Sequence, residues 1–126
     1  MAAVLESRDI ERWLEGIQRW LEDIQRASVE DFDPEVDAFL KRYPFLVRLL
    51  KESAEPCRRH FGETALLSVT VENDPEVESW EYLVIAVQTA LPADQAQAQL
   101  DAFDAAWWLE NLPRAQGKLL FTLEFV

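Results

Sequence analysis

The chain has 126 residues, 49% hydrophobic and 29% charged, which is one domain's worth with a core of its own and excludes a disordered or fibrous chain. Its formal net charge of −12 opposes binding to nucleic acid or to an anionic membrane surface, and favours a basic protein surface as partner. The single cysteine, Cys57, excludes an internal disulfide and suits a cytoplasmic location, and neither a signal-peptide pattern at Met1–Asp9 nor an apolar run of the ~18 residues a membrane span needs is present.

Residues 5–27 predict an amphipathic helix. Ile10, Trp13, Leu14, Ile17, Trp20, Leu21 and Ile24 recur at steps of three and four, the mark of one face of a 3.6-residue period. Glu15 with Arg19 and Glu22 with Arg26 stand acid before base four residues apart, the favourable order. The two tryptophans widen the stripe beyond a coiled-coil seam. It serves either to cover the chain's own domain or to hold a partner or second copy.

Pro34 predicts the first residue of a second helix, capped by Asp33. Helical spacing continues through Phe39, Leu40, Leu46, Val47, Leu50, Ala54, Cys57 and Phe61 to Gly62, a natural left-handed stop. Pro44 and Pro56 predict breaks, leaving helical pieces at 34–42, 45–54 and 56–61.

The period then changes to two. Residues 65–72 alternate, with Leu67, Val69 and Val71 on one face; Tyr82–Thr89 reads as a more buried strand; the acidic run 73–81 joins them as a long-looped hairpin. Pro92 opens a helix with Asp94 in its first turn, and Pro113 follows its end. The chain finishes in a strand whose Leu119, Phe121, Leu123 and Phe125 share one face. The expected fold is α+β: an N-terminal amphipathic helix (1–28, a possible assembly element), then a single domain at 34–126 with an interrupted helix and a β-β-α-β unit. Its small, mostly antiparallel sheet packs on helices. The second and third of these strands flank a helix and so run parallel, either as neighbours or with a gap between them for the first; with the first in the middle every pair is antiparallel. Two sheet edges remain free, the C-terminal strand being one, and free edges invite strand addition.

Arg42-Tyr-Pro-Phe-Leu-Val-Arg-Leu-Leu-Lys51, Pro56-Cys-Arg-Arg-His-Phe-Gly62, Asp74-Pro-Glu76, Leu100-Asp-Ala-Phe-Asp-Ala-Ala-Trp-Trp108 and Leu123-Glu-Phe-Val126 carry a family likeness. Over about residues 39–126 the chain resembles a small uncharacterised bacterial family. The resemblance implies no activity, because that family has no assigned function.

Candidate sites are few. Cys57 and His60, three apart on one helical face, have the types of a nucleophile and its base, but Cys57 sits on the apolar seam where a small buried residue is usual. Carboxylates at Asp101, Asp104 and Glu110 have the type for a hard metal or acid–base work, and equally that of a solvated helix face. No glycine-rich nucleotide loop exists, and no catalytic residue, metal or cofactor is expected.

Charge is unevenly spread. Residues 1–40 carry net −7, 41–60 carry +4 and 61–126 carry −9. Arg42, Arg48, Lys51, Arg58 and Arg59 make the basic stretch, an RNA-binding candidate or an internal partner for the acidic arms.

In the last helix, Ala96, Leu100, Phe103 and Trp107 keep the core spacing. That places Trp107 inside and Trp108 on the flank beside Asp101 and Asp104. Trp13, Trp20, Trp108, Asp101 and Asp104 are therefore the candidate interface, since aromatics among acids are typical anchors. The leading expectation is a non-enzymatic cytoplasmic interaction protein. It self-associates as a homodimer, or serves as an inhibitor or antitoxin-like partner of a basic protein. An enzyme or small-molecule binder with carboxylates in a cleft is the alternative, and RNA binding through 41–59 is the second.

Overall fold

The computed structural model describes residues 3–15 and 34–126. Trp20 and the 16–27 part of the first predicted helix lie outside the described residues, as does the expected boundary at 28.

Four strands form one mixed sheet in the order β1-β2-β3-β4: β1 at Ala3–Glu6, β2 at Leu66–Asn73, β3 at Glu81–Thr89 and β4 at Leu119–Phe125. β1 and β2 pair antiparallel, as do β2 and β3, while β3 and β4 run parallel. The registers line up the alternating apolar residues in rows across the sheet. Leu5, Leu67, Val87 and Leu123 make one row; Val69, Ile85 and Phe121 the next; Val71, Leu83 and Leu119 the third. These rows face the core, and Val4, Leu66 and Leu120 on the other face are exposed.

Of the two strand orders left open, the neighbouring one holds: β3 and β4 pair directly and β2 does not lie between them. One expectation is corrected: the place beside β2 is taken by a strand that the periodicity does not reveal. Ala3–Glu6 is that strand, so the first helix begins at Ile10 and not at residue 5. The backbone of β2 offers unpaired donors and acceptors along its outer edge, and β1 satisfies them. Ser7 and Arg8 then donate backbone hydrogen bonds to Ala65 (3.0 Å) and Glu63 (3.1 Å), while the buried Ser7 hydroxyl donates to the Gly62 carbonyl at 2.5 Å. Ile10 and Leu14 of the following helix, α1 (described over residues 10–15), lie in the same core as the rest of the chain.

α2 (Pro34–Arg42) starts at the proline that predicts it, and α3 spans Phe45–Phe61. The break at Pro56 does not occur: the helix runs through it. A proline inside a helix costs about 3 kcal/mol. Against that stand Leu46, Leu49, Leu50, Ala54 and Cys57, all buried along one side on both sides of the proline. Gly62 ends the helix with φ +94°. α4 (Ala93–Phe103) leads into a π-helical turn at Asp104–Trp108, a short α5 (Leu109–Asn111) and a 3₁₀ turn at Leu112–Ala115. The helices thus share a single core with one sheet face, an α+β arrangement. No helix among the described residues is long and apolar enough to cross a membrane.

Candidate functional site

β4 is an end strand, and its backbone geometry decides what that edge presents. The Lys118 carbonyl accepts from the Leu83 N–H at 2.8 Å, and the Val126 N–H donates to the Thr89 carbonyl at 3.0 Å. In a parallel ladder alternate residues turn both backbone groups to the same neighbour. Lys118, Leu120, Thr122, Glu124 and Val126 therefore face β3. Leu119, Phe121, Leu123 and Phe125 turn their N–H and C=O groups outward, where no described strand pairs with them. Leu120 (44% exposed), Phe125 (56%) and Val126 (76%) keep the surface of this edge apolar.

The tryptophan turn lies behind this strand and fixes it. In the π-helical stretch the Leu109 N–H bonds to the Asp104 carbonyl, five residues back. A π turn inserts one residue relative to the α period, so everything after it rotates by about 100°. The position opposite the sheet that Trp107 would occupy passes to Trp108. Trp108 is 3% exposed, with its ring centroid 4.8 Å from Phe121. Trp107 is half-buried, stacked on Trp108 at 5.9 Å and packed on Phe103 at 5.8 Å. The expected assignment is reversed, and Trp108 is withdrawn from the candidate interface.

The other interface candidates separate as well. Trp13 packs partly against the core and its Nε1–H points to Asp37 Oδ1 at 3.4 Å. Asp101 is exposed and accepts from Gln97 Nε2 at 2.8 Å. Asp104 is half-buried, and its Oδ1 is buried with no hydrogen-bond partner among the described residues. Burial, and then the charge of Asp101, raise its carboxyl above the usual value.

The basic stretch does not form one positive face. Arg42 pairs with Glu81 (2.6 Å), Arg58 with Glu11 (3.2 Å) and Arg59 with Glu55 (2.6 Å), while Arg48 is exposed. Lys51 instead lines an open groove of about 480 Å³ with Glu11, Glu52, Glu55, Pro56, Arg59, His60, Ala106 and Trp107. Asp101 and Asp104 do not line it. Cys57 is fully buried, and that burial pushes its thiol up to about 12, so it is not a poised nucleophile. His60 lies edge-on to Phe103 at 6.2 Å. Among the described residues no group of three His, Cys, Asp or Glu is placed to hold a metal ion.

A cation clamp that sequence reasoning missed secures the start of β4. Lys118 is 8% exposed; its Nζ lies 3.6 Å from the Trp80 ring centroid and 4.7 Å from that of Tyr43, and donates to the Glu81 carbonyl at 3.1 Å. Trp80 Nε1 donates to the Gly117 carbonyl at 3.2 Å. Gly117 has φ +73°, and a Cβ there would meet the Trp80 ring at 3.2 Å, so glycine suits both the turn and the contact. A Gly-Lys pair before an apolar strand is a weak signal, since its partners Glu81, Trp80 and Tyr43 lie far back in the chain.

No family model matches this chain, and no curated protein or solved structure was found to match it.

Proposed function

We propose that this chain is a non-enzymatic interaction protein of the cytoplasm that takes another polypeptide strand along the outer edge of β4. The observation that carries the reading is the set of outward N–H and C=O groups at Leu119, Phe121, Leu123 and Phe125. Strand addition satisfies such groups, with affinity from the main chain and selection from side-chain pockets. The aromatic packing of Trp108 and the Lys118 clamp support it, because a rigid edge spends little ordering entropy on binding. The net charge of −12 adds the expectation that partners other than a second copy are basic. The buried, protonated Cys57 suits the cytoplasm, and membership of a small bacterial family of unassigned function remains part of this proposal.

The test is a display library of eight-residue segments, including residues of β4 itself, panned against the wild type and Phe125→Pro. Proline at this edge position removes an outward N–H and leaves the β3 ladder intact. The wild type is expected to enrich alternating apolar segments that the variant releases. Equal enrichment by both, or none by the wild type, contradicts the reading.

The groove at α3 favours a second reading, a small-molecule binder in which His60, Lys51 and Arg59 with Glu52 and Glu55 make the polar contacts. Of these, Arg59 and Glu55 pair with each other and Glu52 pairs with Arg114 at 2.5 Å, so a ligand must compete with existing ion pairs. His60→Ala and Trp107→Ala, assayed by thermal shift against a small-molecule library, test it: hits that both variants lose support it, and no hits contradict it.

A further inference from the structure

We infer that the strand received by β4 is β4 of a second copy, paired antiparallel about a two-fold axis at Thr122. This rests on the interaction reading above and names its occupant.

The register follows from the outward groups. In an antiparallel pair, residues that face each other with their backbone groups exchange two hydrogen bonds, and such pairs alternate with pairs that exchange none. With the axis at Thr122, Leu119 stands opposite Phe125 of the second copy and Phe121 opposite Leu123. All four outward residues of each copy are then satisfied. Moving the axis to Phe121 leaves Phe125 unpaired, and moving it to Leu123 leaves Leu119 unpaired. Placing the axis between residues sets an outward-facing residue against one that faces β3. Only the Thr122 register uses the whole strand. It also keeps parity, so the two core faces lie on one side and the two outer faces join: Val4, Ser68, Ala86 and Thr122 continue into the same row of the second copy.

Charge permits this contact where it opposes others. The chain carries −12, but residues 111–126 hold only Arg114, Lys118 and Glu124, net +1. In the Thr122 register each Glu124 lies opposite Leu120 of the second copy. The two Glu124 residues are offset by four residues, about 13 Å along the strands, beyond the ~8 Å screening length at physiological ionic strength. A closed two-fold contact of one patch with itself uses up both β4 edges and ends growth through them. The product is an eight-stranded sheet with β1 at each end.

Cysteine cross-linking reads the register directly. Thr122 meets itself in a pair without mutual hydrogen bonds, where Cα atoms lie about 4.5 Å apart, within the ~4.4–6.8 Å that a disulfide spans. Both Thr122 and Leu120 have side chains on the outer face, away from the core, and the native Cys57 is buried. Thr122→Cys is expected to form a covalent dimer under mild oxidation, and Leu120→Cys is not. Light scattering on the wild type is expected to give twice the 14.6 kDa of the chain. A Thr122→Glu variant is expected to be monomeric, as is Thr122→Lys, and their equimolar mixture is expected to restore the dimer. A monomeric wild type, or cross-linking of Leu120→Cys without Thr122→Cys, overturns the inference. If the display experiment still enriches segments that depend on the edge, the interaction reading survives and only the second copy is lost; if it enriches none, both fall.

Discussion

The Trp108 indole meets the Phe121 ring at 4.8 Å with the planes inclined by 69°, an edge-to-face contact between the π turn and the middle of β4. It joins the π-helical turn to the strand that carries the free edge. Trp108→Ala should therefore destabilise the fold by about 3–5 kcal/mol, the usual cost of emptying a buried aromatic site. Trp107→Ala, at a half-buried position, should cost under about 2 kcal/mol. Urea denaturation of the two variants measures the difference, and equal losses would deny the one-residue phase shift.

Deletion of Ala105 or Ala106 tests that shift from the other side. Removing one residue lets Phe103 and Trp108 stand four apart, which a regular helix places on one face. The deletion variant should fold, with an unfolding midpoint no lower than the wild type's. A loss of more than about 2 kcal/mol would show that the wide turn is needed where it is.

Asp104 makes stability depend on pH. Its folded-state pKa lies above the 3.8 of an ordinary aspartate, first through burial and then through Asp101. Its contribution is thus fully present below pH 3.8 and is lost as pH rises through the folded value. Once ionised, the carboxylate destabilises the turn. Asp104→Asn should raise the melting temperature at pH 7 and leave it unchanged near pH 3. A melting series across that range on both proteins checks the sign.

Lys118→Met keeps the length of the side chain and removes the cation from between Trp80 and Tyr43. It also leaves the Glu81 carbonyl without that donor. The expected loss is about 1–3 kcal/mol, the range of a desolvated cation–aromatic contact with a hydrogen bond. Chemical denaturation gives the size, and a near-ultraviolet change from Trp80 shows that the clamp has opened.

Much of the fold is legible in the residue pattern, for a local reason. α2, β2, β3, the start of α4 and β4 each carry a clear period over seven or more residues and a proline or glycine boundary. The exceptions are set by distant partners. β1 is four residues long, and Leu5 points to the core either as a strand residue or as part of the helical stripe. Pro56 reads as a break until the buried seam on both sides of it is known. The neighbouring of β3 and β4 is a choice among strand orders that no short segment encodes.

The site is legible to a lesser degree. The alternation of Leu119, Phe121, Leu123 and Phe125 marks a strand with one buried face, and among the described residues that strand lies at the sheet's edge. The burial of Trp108 in place of Trp107 is not legible, because a single inserted residue leaves no trace in composition: Ala105 and Ala106 suit an α-helix and a π turn alike. The ion pairs of Arg42 and Arg58 join residues 39 and 47 positions apart, beyond the reach of any spacing rule.

Amide hydrogen exchange along β4, read residue by residue at low and high protein concentration, tests the central claim most directly. Leu120, Thr122 and Glu124, whose N–H groups face β3, should be protected at both concentrations. Leu119, Phe121, Leu123 and Phe125 should exchange fast when dilute and slow together as concentration rises. If those four amides still exchange fast at the highest concentration, the edge takes no second copy; if they are protected even at the lowest and independently of concentration, the edge is not free.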